Sequence, residues 1–201
     1  MPAKEGRYHH GDLRTALIDA AIGVIAERGV RGFSLAEATR RLGVTTAAPY
    51  RHFTDRDELL AAVAVRALGV LAAMMGEGAD AAETPADRLA AMAGAYVRFA
   101  AEQRPLFAVL FNSGLDKSRY PELQRAWEPV DALLAIVLEV CGGDAEAADA
   151  LSDAVEASAH GYATLFIDGE YGEGPAAVTA AAVKAVASAR ALVAGRQALR
   201  P

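Results

Sequence analysis

The chain has 201 residues, of which 53% are hydrophobic and 23% charged, and its formal net charge is -6. That length is enough for one full core, or for a head of about 50 residues joined to a module of about 150, and the charged fraction is near the ~25% of ordinary globular domains, which argues against disorder. The longest charge-free stretches, 105–115 and 157–167, fall short of the ~18 apolar residues of a membrane span, and the amino terminus lacks the apolar run of a secretory signal, so a cytoplasmic protein with no membrane partner is expected.

Every long segment reads as helix. Leu13, Leu17, Ala20, Ala21 and Val24 recur at spacings of 3 and 4, one apolar stripe of a helix over about 12–28 that stops near Gly29. Ser34 and Glu37 form a capping-box pattern, in which the hydroxyl serves a free amide and the carboxylate reaches back, so a second helix runs over about 35–42. Gly43 supplies the positive φ of a tight exit and Thr45 caps a third helix over about 46–53. Pro49 then falls at its fourth position, where one intrahelical hydrogen bond is at stake. Phe53 and Leu42 should be core.

Thr54 or Asp55 caps a long helix over about 56–77. Thr84 as N-cap, Pro85 at N1 and Asp87 at N3 restart the chain as helix after a polar link. Further helices are expected over about 105–112, 120–141, 144–168 and 175–197. No run alternates in the manner of a strand, and no segment repeats. The fold class is therefore all-α.

Two short helices joined by Leu42-Gly43-Val44-Thr45, behind a longer one, have the arrangement of a helix-turn-helix, whose second helix enters the major groove of DNA. Small residues at Ala47 and Ala48 let the chain approach base edges, and a methyl group can meet that of thymine. Thr46 and Arg51 are candidates for base or phosphate contact. Tyr50, His52 and Arg56 are donors of the kind that hold phosphate oxygens, and Arg31, Ser34 and Thr45 complete the candidate DNA-binding set. Up to Arg66 there are ten basic and eight acidic residues, leaving -8 for the remainder. Such asymmetry suits a polyanion-facing end with a different module behind it.

The run Phe33 to Leu60, with Tyr50, His52, Phe53, Arg56 and Leu59 in order, resembles the DNA-binding domain of the TetR family of bacterial regulators. The opening Tyr8-His9-His10-Gly11-Asp12-Leu13-Arg14 is similar to one subgroup of it. His160-Gly161 resembles the element of a Trp-His-Gly type carboxy-terminal domain, although Glu156 and Ala157 stand where the tryptophan is expected. Ala47 replaces the glycine of many members, and Pro49 their leucine or isoleucine. The resemblance implies a DNA-binding head over 1–56 and an effector-binding and dimerisation domain over 57–201. It also implies a homodimer on a palindromic, double-stranded operator, repressing transcription until a small-molecule effector binds.

Aromatic and methionine side chains at Met74, Met92, Tyr96, Phe99, Phe107, Phe111 and Trp127, with His160, are the candidate effector-binding set, since small-molecule sites are mainly apolar with a few polar groups. The same residues also suit ordinary core. Alanine-rich stretches at 144–168 and 175–197 could form a dimer's four-helix seam or pack within one chain.

Catalytic and metal readings find little support. His9, His10 and Asp12 lack the i, i+4 spacing of a helical metal site, and the lone cysteine, Cys141, supplies neither a disulfide nor a zinc site. Ser113 lacks the glycines of a nucleophile elbow, and no glycine-rich phosphate loop is present. No cofactor and no enzymatic activity are expected. The alternative is an all-helical small-molecule binding protein or enzyme whose helix-turn-helix serves structure or protein contact.

Overall fold

The computed structural model describes residues 10–199, with side chains from Leu13 onward. Of the opening run, Tyr8 and His9 and the side chains of His10 and Asp12 lie outside that description. Among the described residues there is helix and no strand. The α-helices are α1 (His10–Arg28), α2 (Leu35–Leu42), α3 (Arg56–Asp80), α4 (Pro85–Glu102), α5 (Arg104–Asn112), α6 (Pro121–Arg125), α7 (Glu128–Val140), α8 (Ala145–Ile167) and α9 (Pro175–Ala194).

The chain divides into two compact units: the residues up to Ala67 with Pro105–Gln124, and Leu68–Arg104 with the residues from Arg125 onward. In the first, the α1 stripe is buried through Leu17, Ala21 and Val24, and Phe33, Ala38, Phe53, Leu59 and Leu60 are further core residues of that unit. Leu42, expected in the core, is only half-buried. Phe53 is 1% exposed, and the Arg14 guanidinium lies 5.1 Å from its ring centre.

Local chemistry sets the boundaries. Ser34 Oγ accepts from the Glu37 amide at 3.2 Å, and Gly43 closes α2 at φ 67° in the left-handed region, where a Cβ is disfavoured. The returning arm of the expected box is diverted, because the Glu37 carboxylate bonds the Arg28 and Arg40 guanidiniums. At the start of α3 both arms are made, the returning one reaching the residue before the cap. Asp55 accepts from the Glu58 amide at 2.8 Å, and Glu58 accepts from the Thr54 amide and hydroxyl at 2.6 and 2.8 Å.

The expected third helix is not an α-helix. Residues 46–48 form a turn and Pro49–Arg51 a single 3-10 turn. Ala48 N–H donates to the Thr45 carbonyl at 3.0 Å and His52 N–H to that of Pro49 at 2.8 Å, both i to i-3. Pro49 explains this: it lacks the N–H that an α-helix would direct to Thr45, and its ring crowds that same carbonyl. The tighter turn accommodates both.

A second proline splits the helix expected over 120–141. Arg125 ends α6 and Glu128 begins α7. Pro129 cannot donate to the Arg125 carbonyl and clashes with it. It is tolerated as the second residue of a new helix, where the amide would be unpaired in any case.

In the second unit α4, α8 and α9 pack against one another, and α7 joins α4 and α8. Thr84 Oγ1 accepts from the Asp87 amide at 3.1 Å, with Pro85 at the first helical position, as the sequence indicates. Gly94 brings α4 close to α9: a Cβ there would lie 2.7 Å from Val186 Cγ2. Asp144 caps α8 by accepting from the Ala147 amide at 3.1 Å. Helix α9 ends at Ala194, and Arg196–Leu199 form a 3-10 turn. Cys141 is a half-buried free thiol.

Candidate DNA-reading and effector sites

The first site is the surface between the capped ends of α2 and α3. Thr45, Thr46, Ala47 and Arg51 are exposed, as are Arg31 and Ser34; Ala48 and His52 are half-buried. Tyr50 projects at 61% exposure, while its neighbour Pro49 is buried. The segment therefore turns its proline inward, and Thr45, Thr46, Ala47, Tyr50 and Arg51 outward. Short polar and methyl side chains beside a phenol and a guanidinium can meet base edges and phosphates in one surface.

Most cations of this unit are already engaged. Arg28 and Arg40 share Glu37, Arg41 bonds Glu27 at 2.6 Å, and Arg66 bonds Asp19. The Arg40 hydrogen bond, with the charges of Arg28, Arg40 and Arg41, holds the Glu37 carboxyl below the ordinary carboxylate range. Arg56 is turned to the main chain, donating to the Val30 carbonyl at 2.9 Å and the Phe33 carbonyl at 3.2 Å. Among the described residues, Arg31 and Arg51 have no ion-pair partner.

The effector candidates fall in both units. Met74, Met92, Tyr96, Phe99, Trp127 and His160 belong to the second, Phe107 and Phe111 to the first. In the first, the Phe107 and Phe111 rings lie 4.8 Å apart, and Lys117 sits over Phe111. In the second, Met92, Tyr96 and Phe99 are buried on one face of α4, while Met74, Trp127 and His160 are half-buried.

The structure joins two residues of this set that are far apart in the chain. Tyr96 Oη and His160 Nδ1 share a hydrogen bond of 2.8 Å. Burial raises the Tyr96 pKa, and the nearby Glu156 charge raises it further. The phenol keeps its proton, and the imidazole tautomer sets which of the two groups donates. This is a polar node on an apolar helix face, of the kind that orients a ligand.

Sequence reading missed a groove of about 310 Å³ between α4 and α9, lined by Arg98, Thr179, Ala182, Val183, Val186 and Arg190, among others. Arg190 is tied to Asp87 at 3.0 Å, and Arg98 has no ion-pair partner among the described residues. The signal in the sequence is the exposed apolar spacing of α9, a stretch that the alanine content alone marks only as a dimer seam or an intrachain packing surface. A smaller groove of about 250 Å³, lined by Arg88, Met92, Ile136 and Glu139 with their neighbours, lies at α4 and α7. No group of three or more metal-ligating side chains is found among the described residues.

Comparison with known proteins assigns both parts. Residues 17–63 match the family described as bacterial regulatory proteins, tetR family, and residues 89–189 match the tetracyclin repressor-like C-terminal domain. The chain belongs to the TetR family. This TetR-family chain is 34% identical over 79 residues to the HTH-type transcriptional regulator BetI of Rhizobium meliloti (strain 1021), an alignment that spans 39% of each protein.

Its fold follows a solved structure of a protein with unknown function from Rhodococcus sp. RHA1, at 34% identity and a TM-score of 0.73, covering 91% of this chain and 98% of the other. It also follows the fold of the fatty acid degradation regulator FadR from Bacillus halodurans, at 16% identity and a TM-score of 0.68, covering 92% and 96%. The TetR-family chain is a DNA-binding transcriptional regulator.

Proposed function

We propose that this regulator is a homodimeric repressor that leaves a palindromic operator when a small-molecule effector binds. Residues 1–56 are the reading head and 57–201 the effector-binding and dimerising part. The observation that carries the reading is the exposed band Thr45, Thr46, Ala47, Tyr50 and Arg51, held between a capped α2 and a capped α3. Arg31, Ser34, Ala48 and His52 extend it. The subgroup suggested by the opening run and by His160-Gly161 is part of the same reading, as is action in the bacterial cytoplasm by binding rather than catalysis.

The Tyr96–His160 node supports an effector that is mostly apolar and carries one hydrogen-bonding group. Release requires the effector to favour one head spacing over another, and a differential of about 1–3 kcal/mol shifts operator affinity roughly 5- to 150-fold.

Footprinting on the DNA flanking its own gene should show two protected half-sites about 10 base pairs apart, or a multiple of that. The absence of sequence-selective protection at every salt concentration tried sinks the proposal. A compound that raises the melting temperature should lift the footprint, and Tyr96→Phe should weaken that response while leaving the footprint itself in place.

A further inference from the structure

Arg56 is the residue at which charge and geometry part company. Its sequence position, three residues after Phe53 and at the first turn of α3, marks it as a cation available to phosphate. In the structure its guanidinium is spent on the protein. Nη2 donates to the Val30 carbonyl at 2.9 Å, Nε to the Phe33 carbonyl at 3.2 Å, and Nη1 to Asp57 Oδ1 at 3.0 Å. The same group lies 5.7 Å from the centre of the Phe33 ring.

These contacts have one geometric result. Val30–Gly32 is the 3-10 turn between α1 and α2, entered through Gly29 at φ 70° and left through Phe33. Phe33 N–H bonds the Val30 carbonyl at 3.3 Å, and that carbonyl also accepts from Arg56. The residue that follows, Ser34, caps α2. Arg56 therefore joins the entry of α2 to the start of α3, across the segment 45–52 that the two helices bracket. A planar fork with several fixed donors can hold two carbonyls and a carboxylate at once, which a single ammonium cannot match.

We propose that Arg56 is a positioning residue of the reading head, acting on DNA through the turn and segment it fastens, and that it is not a phosphate ligand. Arg31 and Arg51, exposed and without an ion-pair partner among the described residues, carry the phosphate contacts instead. The two roles differ in what salt does. Neutralising a phosphate releases counterions, so each such contact adds about 0.9 to the slope of log affinity against log salt concentration. A clasp lowers affinity and leaves the slope unchanged.

The test measures operator affinity across a salt series for the full chain and its Arg56→Gln, Arg56→Lys and Arg51→Gln variants, with the active fraction fixed by stoichiometric titration. Arg56→Gln should weaken binding about tenfold or more, as expected for loss of hydrogen bonds from a charged group, with the wild-type slope and active fraction. Arg56→Lys should weaken it similarly, although it keeps the charge. Arg51→Gln should lower the slope by about 0.9 for each protomer bound.

In the DNA-free protein, amide exchange at Gly32 and Phe33 should accelerate in both Arg56 variants and not in Arg51→Gln. A lowered slope in Arg56→Gln, wild-type affinity in either Arg56 variant, or unchanged exchange at Phe33 overturns the proposal. If Arg56→Gln loses the fold of the head, the lysine variant decides: rescue of affinity by charge alone refutes the clasp.

Discussion

At the scale of the residue, Glu37 shows how this head holds a dense set of cations without losing its fold. The carboxylate sits between Arg28 and Arg40, and the Arg40 hydrogen bond does most to hold its pKa down. A carboxyl depressed in the folded state stabilises that state above its unfolded value of about 4.3, and the contribution disappears as the pH falls through the folded value. Acidification below about pH 4.3 should therefore loosen α2 in the wild type. Glu37→Gln should remove that part of the pH dependence, since Gln carries no titrating group. Denaturant midpoints of the two proteins measured between neutral pH and pH 3 check this. Parallel midpoints across the whole range would mean that Glu37 contributes nothing to the pH response. Tyr50 makes the complementary point: its exposure is not explained by packing, and a phenol projecting beside exposed Arg51 suits contact with DNA.

At the scale of the element, Gly94 shows what sets the distance between α4 and α9. A methyl at that position would lie 2.7 Å from Val186 Cγ2, and a β-branched valine cannot swing its methyl away freely. Overpacking costs about 1–3 kcal/mol, and replacing a mid-helix glycine by alanine returns about 1 kcal/mol of helix propensity. Gly94→Ala should therefore destabilise by about 1 kcal/mol net, and Val186→Ala in the same chain should recover part of it. Gly69→Ala, where nothing lies within 4 Å of the added atom, should stabilise by up to about 1 kcal/mol. Thermal unfolding of these variants gives the comparison; destabilisation at both glycines would break the packing argument. The caps at Ser34, Gly43, Thr84 and Pro85 were legible in the sequence because capping is local, settled by a few neighbouring residues. Pro49 was legible as a proline and misjudged in effect: counting the one hydrogen bond it removes leaves out the clash with the carbonyl four residues back, and that clash turns an expected helix into turns. Pro129 splits the helix expected over 120–141 for the same reason. The exposure of the candidate band was in keeping with the sequence, while the partners of its side chains were legible only in part. Arg56 has the charge of a phosphate ligand, but which acceptors its guanidinium meets depends on Val30 and Phe33, more than twenty residues away in the chain. The Tyr96–His160 pair joins residues 64 apart, a relation that helical spacing does not encode.

At the scale of the whole molecule, α9 raises the question of what covers it. Ala176, Ala180, Val183, Ala187 and Ala191 recur at spacings of 3 and 4 and are all exposed, and Val183 is 61% exposed. This helix and α3 are long and apolar enough by composition to cross a bilayer, but 56% of the α3 window is buried in the protein against 33% for α9. The apolar surface of α3 is accounted for by the core, and that of α9 is not. At 1.5 Å per residue the helix offers a strip about 30 Å long, with small side chains that let another helix approach closely. Under the proposed homodimer a second copy of the chain covers this strip and gives a palindromic operator the two heads it needs. The α4–α9 groove, where Arg98 lacks an ion-pair partner among the described residues, adjoins the strip at Val183 and Ala187. An acidic run on α8, Asp149, Asp153 and Glu156, is exposed. Val183→Glu places a charge where an apolar partner must close. Light scattering should find the wild type at twice its chain mass of 20.9 kDa and the variant at the single-chain mass, with helicity unchanged. Because two linked heads gain a factor of about 10²–10⁴ over one, the variant should also lose at least about a hundredfold in operator affinity. A Val183→Glu protein that stays dimeric at micromolar concentration would remove α9 from the interface; a monomeric variant that still bound the full operator with wild-type affinity would detach dimerisation from DNA reading.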